Sequence, residues 1–294
     1  MGIILGLSGA VCWGVSDFIA RFASRRVGAY RTLFFMQFFG FLALSAYLKW
    51  TGAFTHVAAT GWKPWALAAF AGVINMFASL ALYYSFQVGV MSIVAPVSSS
   101  YPALTVALAM LSGEHVHALR GSGLGVTLAG VILACTSFTQ AAGNKPADSG
   151  KHLHAHPANG VWWAIVAAVG FGFLFWFLGF YVVPLVGSTV SVWVIRLTCM
   201  TVLALAAVPA RQSIQIPRGG VWWLLLGVGV LDTAAFVFNN AGLQTGQVSV
   251  VSVLASLYGA VTVVLSWIFL RERLEPSQWF GIVLIFAGIV LVSL

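Results

Sequence analysis

The sequence predicts an all-α polytopic membrane protein, with ten transmembrane helices arranged as two inverted five-helix repeats. Three observations carry that prediction. Hydrophobic residues make up 61% of the 294 residues and charged residues 7%, against roughly 25% charged in an average soluble domain. Apolar runs long enough to cross a bilayer recur ten times. The chain also resembles itself on either side of a polar stretch near its middle.

A mean hydropathy of +0.99 excludes a water-soluble enzyme, a disordered chain and a disulfide scaffold, because such a surface needs lipid to solvate it. The net charge of +8 is spread over 14 basic residues that punctuate apolar blocks. Nucleic-acid binding requires them clustered on one element, so the expected partners are the lipid bilayer and a small-molecule substrate, with no nucleic acid. Cys12, Cys135 and Cys199 lie singly inside apolar runs and read as small hydrophobes. The N-terminus is apolar from Gly2, without a basic n-region, and reads as a retained helix rather than a cleaved signal.

About 20 apolar residues span a bilayer as a helix. Such runs lie near residues 3–20, 31–49, 64–87, 91–112, 120–139, 160–183, 188–208, 220–243, 248–270 and 276–293. The turns at Gln87–Val90 and Gln244–Gln247 are short and make their flanking spans hairpins. The Gly-, Pro-, Lys- and His-containing stretch 140–159 reads as a solvated linker. It separates a first five-helix unit, 1–139, from a second, 160–294.

A shift of 157 residues lays Gly72–Leu108 on Gly229–Leu265 with 13 of 37 positions identical, among them Gln87/Gln244, Ser99/Ser256, Tyr101/Tyr258 and Thr105/Thr262. One extra residue then brings Glu114/Glu272, Gly123/Gly281 and Gly130/Gly288 into register. An odd number of helices per repeat inverts the second copy, a recurring plan of secondary transporters with a site at the repeat interface. Loops after the odd-numbered spans hold ten Lys and Arg, and the opposite loops hold three, Lys49, Lys63 and Arg120. By the positive-inside rule the linker is cytoplasmic and the termini are outside.

The segment from Ser256 to Val292 resembles the closing helix pair of the EamA-type domain in the drug/metabolite transporter superfamily. Leu270, Glu272 and Leu274 occupy an L-x-E-x-L turn, with Gly281 and Gly288 in the helix that follows. Glu114, Gly123 and Gly130 repeat the pattern, although His115 and Val116 depart from it in that turn. Trp13-Gly14 is similar to the family's first-helix W-G pair, of which only Gly172 survives in span 6. The resemblance implies tandem five-helix domains, a bacterial inner-membrane exporter of amino acids, other metabolites or drugs acting as a monomer, and cytoplasmic termini. That orientation is opposite to the one the charge count gives.

An ionisable group inside a span costs at least roughly 2.5–3.5 kcal/mol. Asp17 stands one turn before Arg21 near the end of span 1, a spacing that suits an interfacial ion pair. Arg196 and Asp232 are the charges set deepest in the apolar runs. Either they pair, or each faces the cavity and holds one end of a zwitterion. Asn75 aligns with Asp232. With Trp13, Tyr83, Ser99, Tyr101, Asn239 and Tyr258 these residues form the expected substrate cavity; for the serines and asparagines the alternative is interhelical hydrogen bonding. Pro96 and Pro102 interrupt span 4, and Gly259 stands in place of Pro102 in span 9. These mark either moving gates or static kinks.

Eight of the 12 Trp fall near span ends and read as an interfacial belt. No metal or cofactor is expected: His152, His154 and His156 alternate in the linker without Cys or paired carboxylates, and the glycines at 121, 123 and 125 lack the strand a phosphate loop needs. The function expected is export of small metabolites, foremost neutral or aromatic amino acids, by alternating access. A multidrug cation exporter is the alternative, with a membrane enzyme and a non-transporting interaction protein as further rivals. All six His lie outside the spans, which leaves an enzyme without a base at depth. Both proton coupling through Asp232 and facilitated diffusion stay open.

Overall fold

The computed structural model describes residues 1–52, 61–114, 122–123, 125–126, 129–130, 133, 157–245, 248–271 and 276–293. All regular structure among them is helical. Most of predicted span 5, the linker histidines and the turn residues Glu272 and Leu274 lie outside the described residues.

The chain runs through α1 (Gly2–Val27), α2 (Ala29–Thr51), α3 (Trp62–Val88), α4 (Met91–Ser98) and α5 (Pro102–Leu111). It continues with α6 (Pro157–Phe177), a π-helical turn (Leu178–Val182), α7 (Val183–Val186), α8 (Ser188–Ala206) and α9 (Val221–Leu243). Then come α10 (Val248–Ser256), α11 (Tyr258–Leu265), a second π-helical turn (Ser266–Leu270) and α12 (Pro276–Ser293). Among the described residues, eight continuous stretches are long and apolar enough to cross a membrane, and Trp279–Gly288 within α12 is a shorter apolar helix. The protein is an integral multi-pass membrane protein.

Two boundaries differ from the sequence expectation. α1 runs to Val27 rather than to residue 20, so Arg21, Arg25 and Arg26 are helical and Asp17 lies nearly three turns inside the end. α6 begins at Pro157, within the predicted linker; a first-turn proline has no helical N–H to lose.

The helix turns are made by glycine where the backbone requires it. Gly28 (φ 88°) joins α1 to α2, and Gly187 (φ 86°) joins α7 to α8, a left-handed conformation in which a Cβ is strained. Span 4 breaks between α4 and α5, and Pro102 opens α5. Ser98, Ser99 and Ser100 donate to the carbonyls of Ala95, Pro96 and Val97 at 3.0, 3.0 and 2.7 Å. The Ala95 and Val97 carbonyls also accept the backbone N–H groups of Ser99 and Ser100 at 2.9 and 3.3 Å, so the hydroxyls there add a second bond and turn back on their own helix. Span 9 breaks at Leu257 without a proline, between α10 and α11.

Packing between the helices of residues 1–111 and those of residues 157–293 is reciprocal. α1 packs on α9, α10 and α11, while α6 packs on α3, α4 and α5. α2 lies against α9 and α8, and α3 against α8. Close approaches repeat in the same way. A Cβ on Gly14 would stand 3.0 Å from the Tyr258 carbonyl, and one on Gly172 would stand 2.9 Å from the Tyr101 carbonyl. Thr262 Oγ1 donates to Gly14 O at 3.2 Å, and Thr105 Oγ1 donates to Gly172 O at 3.0 Å. Small residues at such crossings are how membrane helices bring backbones together. Trp50, Trp62, Trp162, Trp163, Trp223 and Trp279 are exposed, as an interfacial belt requires. Trp267, read from sequence as deeper, is exposed too, on the second π-helical turn.

Candidate substrate cavity

Four helices each turn two or more side chains, one helical turn apart, into the bundle centre. These are Trp13 and Asp17 from α1, Ser79 and Tyr83 (with Leu82) from α3, Phe171 and Phe175 from α6, and Asp232 and Phe236 from α9. The i,i+4 spacing puts each pair on a single face. Tyr101 and Tyr258 close the ring from the breaks in spans 4 and 9. All of these side chains are buried.

Aromatic rings make up most of the wall. Trp13 meets Phe236 edge-on at 5.5 Å between centroids and lies 5.5 Å from Phe175. Tyr101 and Tyr258 stack at 6.5 Å with 15° between planes. The space they enclose is about 30 Å³, room for about two water molecules at 10–15 Å³ each.

The polar groups of the wall fall into two sets. In the first, every group has a partner. Trp13 donates its indole N–H to Asp232 Oδ1 at 3.1 Å, and Arg196 pairs with Asp232 Oδ2. Tyr101 donates to Ser252 O at 3.0 Å, and Tyr258 donates to Ser98 Oγ at 3.1 Å. The second set is Asp17 and Tyr83. Asp17 is 3% exposed, and no hydrogen bond or ion pair joins it to a described residue. The Tyr83 hydroxyl is buried without a hydrogen-bond partner among the described residues.

This corrects the sequence reading of Asp17. It forms no interfacial ion pair with Arg21; it lines the cavity beside Trp13, because its place in the longer α1 sets it away from the helix end.

Of the other residues expected at the cavity, Trp13, Tyr83, Tyr101, Asp232 and Tyr258 line it. Arg196 stands behind Asp232 and is 0% exposed. Its guanidinium also donates to Gln37 Oε1 at 2.8 Å and to Met36 Sδ at 3.1 Å, and it lies 5.3 Å from the Phe236 ring centroid. Asn75 is engaged with Cys199 Sγ and Ser79, both at 3.5 Å. Ser99 caps α4. Asn239 is fully buried with neither amide atom bonded to a described residue, whereas its neighbour Asn240 donates to Ser191 Oγ at 3.1 Å. Gly259 sits where α11 crosses α4, with the Ala95 carbonyl 3.2 Å from the position of a Cβ.

Sequence reasoning missed Ser79, Leu82, Phe171, Phe175 and Phe236 as lining residues. For Phe175 and Asp17 a signal existed. The shift of 158 residues that pairs Gly14 with Gly172 pairs Asp17 with Phe175 and Trp13 with Phe171. Apolar composition alone does not separate a cavity phenylalanine from a lipid-facing one.

An EamA-like transporter family profile matches residues 1–136 and 158–294. The chain belongs to that family of membrane transporters. It is 32% identical over 136 residues to an uncharacterized protein of Methanocaldococcus jannaschii, a match that covers 46% of this chain and 96% of that protein. A crystal structure with a TM-score of 0.71 and 16% identity covers 99% of this chain and 96% of its own. At that identity the likeness is one of fold.

Proposed function

We propose that this family member is a secondary transporter that exports small solutes with an aromatic or apolar body and an amino group, aromatic amino acids being the reference substrates. It works by alternating access between two five-helix halves of inverted topology, ten spans in all, as a monomer in a bacterial inner membrane. The observation that carries this reading is the buried cavity walled by Trp13, Phe171, Phe175, Phe236, Tyr101 and Tyr258. Aromatic walls favour apolar and aromatic bodies. A space of about 30 Å³ is too small for any amino acid, so a substrate enters only when the helices around it move apart.

Several features support the two-half organisation. The reciprocal packing of α1 with α9–α11 and of α6 with α3–α5 is what a duplicated chain related by a two-fold axis produces. The matched contacts of Gly14 and Gly172 repeat it at single residues. The archaeal relative is matched along nearly its whole length by 136 residues, about one proposed half.

The test is uptake of labelled phenylalanine into proteoliposomes with no imposed gradient, against empty vesicles. Saturable uptake blocked by unlabelled aromatic amino acids is the expected result. Uptake no faster than in empty vesicles, with and without an inward-acid gradient, overturns it.

One observation favours the cation reading over a zwitterion clamp. Arg196 is held by Asp232 and Gln37 and does not line the cavity, so its guanidinium is not offered to a substrate carboxylate.

A further inference from the structure

The charges around the cavity do not balance. Among the described residues its wall carries two carboxylates, Asp17 and Asp232. Asp232 is matched one-to-one by Arg196 and takes the Trp13 N–H on its other oxygen. That leaves Asp17 with no partner from α1, α3, α6, α9 or the two tyrosines. An uncompensated buried charge is expensive to keep, and such a group inside a membrane span marks a functional site.

Tyr83 supplies the second free group on the same wall, a buried hydroxyl able to accept or donate one hydrogen bond. An entering ammonium would meet the Asp17 carboxylate, the Tyr83 oxygen and aromatic rings that attract cations. Among the described lining residues an entering carboxylate would meet two carboxylates and no cation.

We propose that Asp17 is the ammonium-binding residue of the cavity and that it selects aromatic amines over aromatic carboxylates. The carboxyl group of an amino acid is then dispensable for recognition, and the decarboxylated amine is the better ligand. This rests on the transport reading above. It goes beyond that reading in naming the charge of the substrate and the residue that reads it.

Four probes with the same phenyl ring separate the two. Binding of phenethylamine, phenylalanine, 3-phenylpropanoate and uncharged 3-phenylpropan-1-ol is measured by titration calorimetry on the full chain in detergent. Phenethylamine is expected to bind tightest and phenylpropanoate weakest. Asp17→Asn should weaken phenethylamine about tenfold or more, the worth of a charge-assisted hydrogen bond. The same variant should leave the alcohol within about twofold, a readout that loss of fold would not spare. Asp17→Glu should retain the preference for the amine. Equal binding of amine and carboxylate, or an Asp17→Asn variant with unchanged amine affinity, overturns the inference and leaves the aromatic cavity standing. Equal loss of amine and alcohol in Asp17→Asn makes the residue structural and also overturns it. Binding of none of the four to the unaltered protein defeats the aromatic-cavity reading and the inference together.

Discussion

Arg196 and Asp232 form an ion pair inside the bundle that joins α8 to α9, with the arginine side chain 0% and the aspartate side chain 11% exposed. Each is also bonded to the first half of the chain, Arg196 to Gln37 and Asp232 to Trp13. The pair therefore links four helices. Removing one partner of a buried pair strands the other, at about 3–5 kcal/mol, while replacing both by apolar groups is often neutral. Arg196→Met and Asp232→Leu should each lower the melting temperature in detergent sharply, and the double variant should recover part of the loss, the Trp13 N–H being left without its Asp232 partner. Adding Gln37→Leu should recover more, since Gln37 loses its Arg196 bond and its Nε2 already has no partner. Additive losses in the double variant would mean that the two residues act independently.

Glycine substitutions separate close helix crossings from merely helical positions. A Cβ on Gly14 would lie 2.5 Å from Val261 Cβ, and one on Gly172 would lie 2.8 Å from Leu104 Cβ. Neither neighbour can swing away, because both contacts are to the Cβ itself. Gly14→Ala and Gly172→Ala should each destabilise by about 1–3 kcal/mol, the usual range for overpacking. Gly227→Ala is the control: its nearest neighbour, Ile19 Cδ1, stands at 3.8 Å. There the gain in helix propensity, about 1 kcal/mol, should leave the protein unchanged or more stable. Thermal melts of the three variants check the order.

What the sequence made legible follows from what hydropathy measures. The spans could be read because lipid demands long apolar runs, whereas Trp13-Gly14 stood out only by its resemblance to the family's first-helix pair. The direction of a side chain is not encoded that way. Asp17 sits at i,i+4 from both Trp13 and Arg21, so the same spacing suits a shared cavity face and an ion pair. The choice turned on where α1 ends, and arginines at positions 21, 25 and 26 look like a span end even though the helix continues to Val27. Ser99 misled for a related reason. A serine run at a proline break turns back on the carbonyls of its own preceding turn as readily as it would serve a ligand.

Asn239 carries a different expectation. Both atoms of its amide are buried and unbonded to any described residue, and an unsatisfied buried polar group costs about 1–3 kcal/mol. Asn239→Leu removes that penalty with a side chain of similar shape, so the melting temperature should hold or rise. A marked fall would show that the amide is satisfied in the membrane by a partner outside the described residues.

Tyr83→Phe isolates recognition from stability. The ring packs against Phe86 at 6.1 Å in a stacked arrangement, and phenylalanine keeps that contact. The hydroxyl has no partner among the described residues to lose, so deleting it should leave the melting temperature unchanged or slightly higher. If an incoming amine uses the Tyr83 oxygen together with Asp17, its affinity should fall by about threefold to tenfold, the worth of one hydrogen bond. The fall should be smaller for a solute with no amino group. Binding titrations and melts on the same preparation read both quantities at once. A destabilised variant would mean that the hydroxyl is bonded within the protein, and an unchanged amine affinity would confine recognition to Asp17 and the aromatic wall.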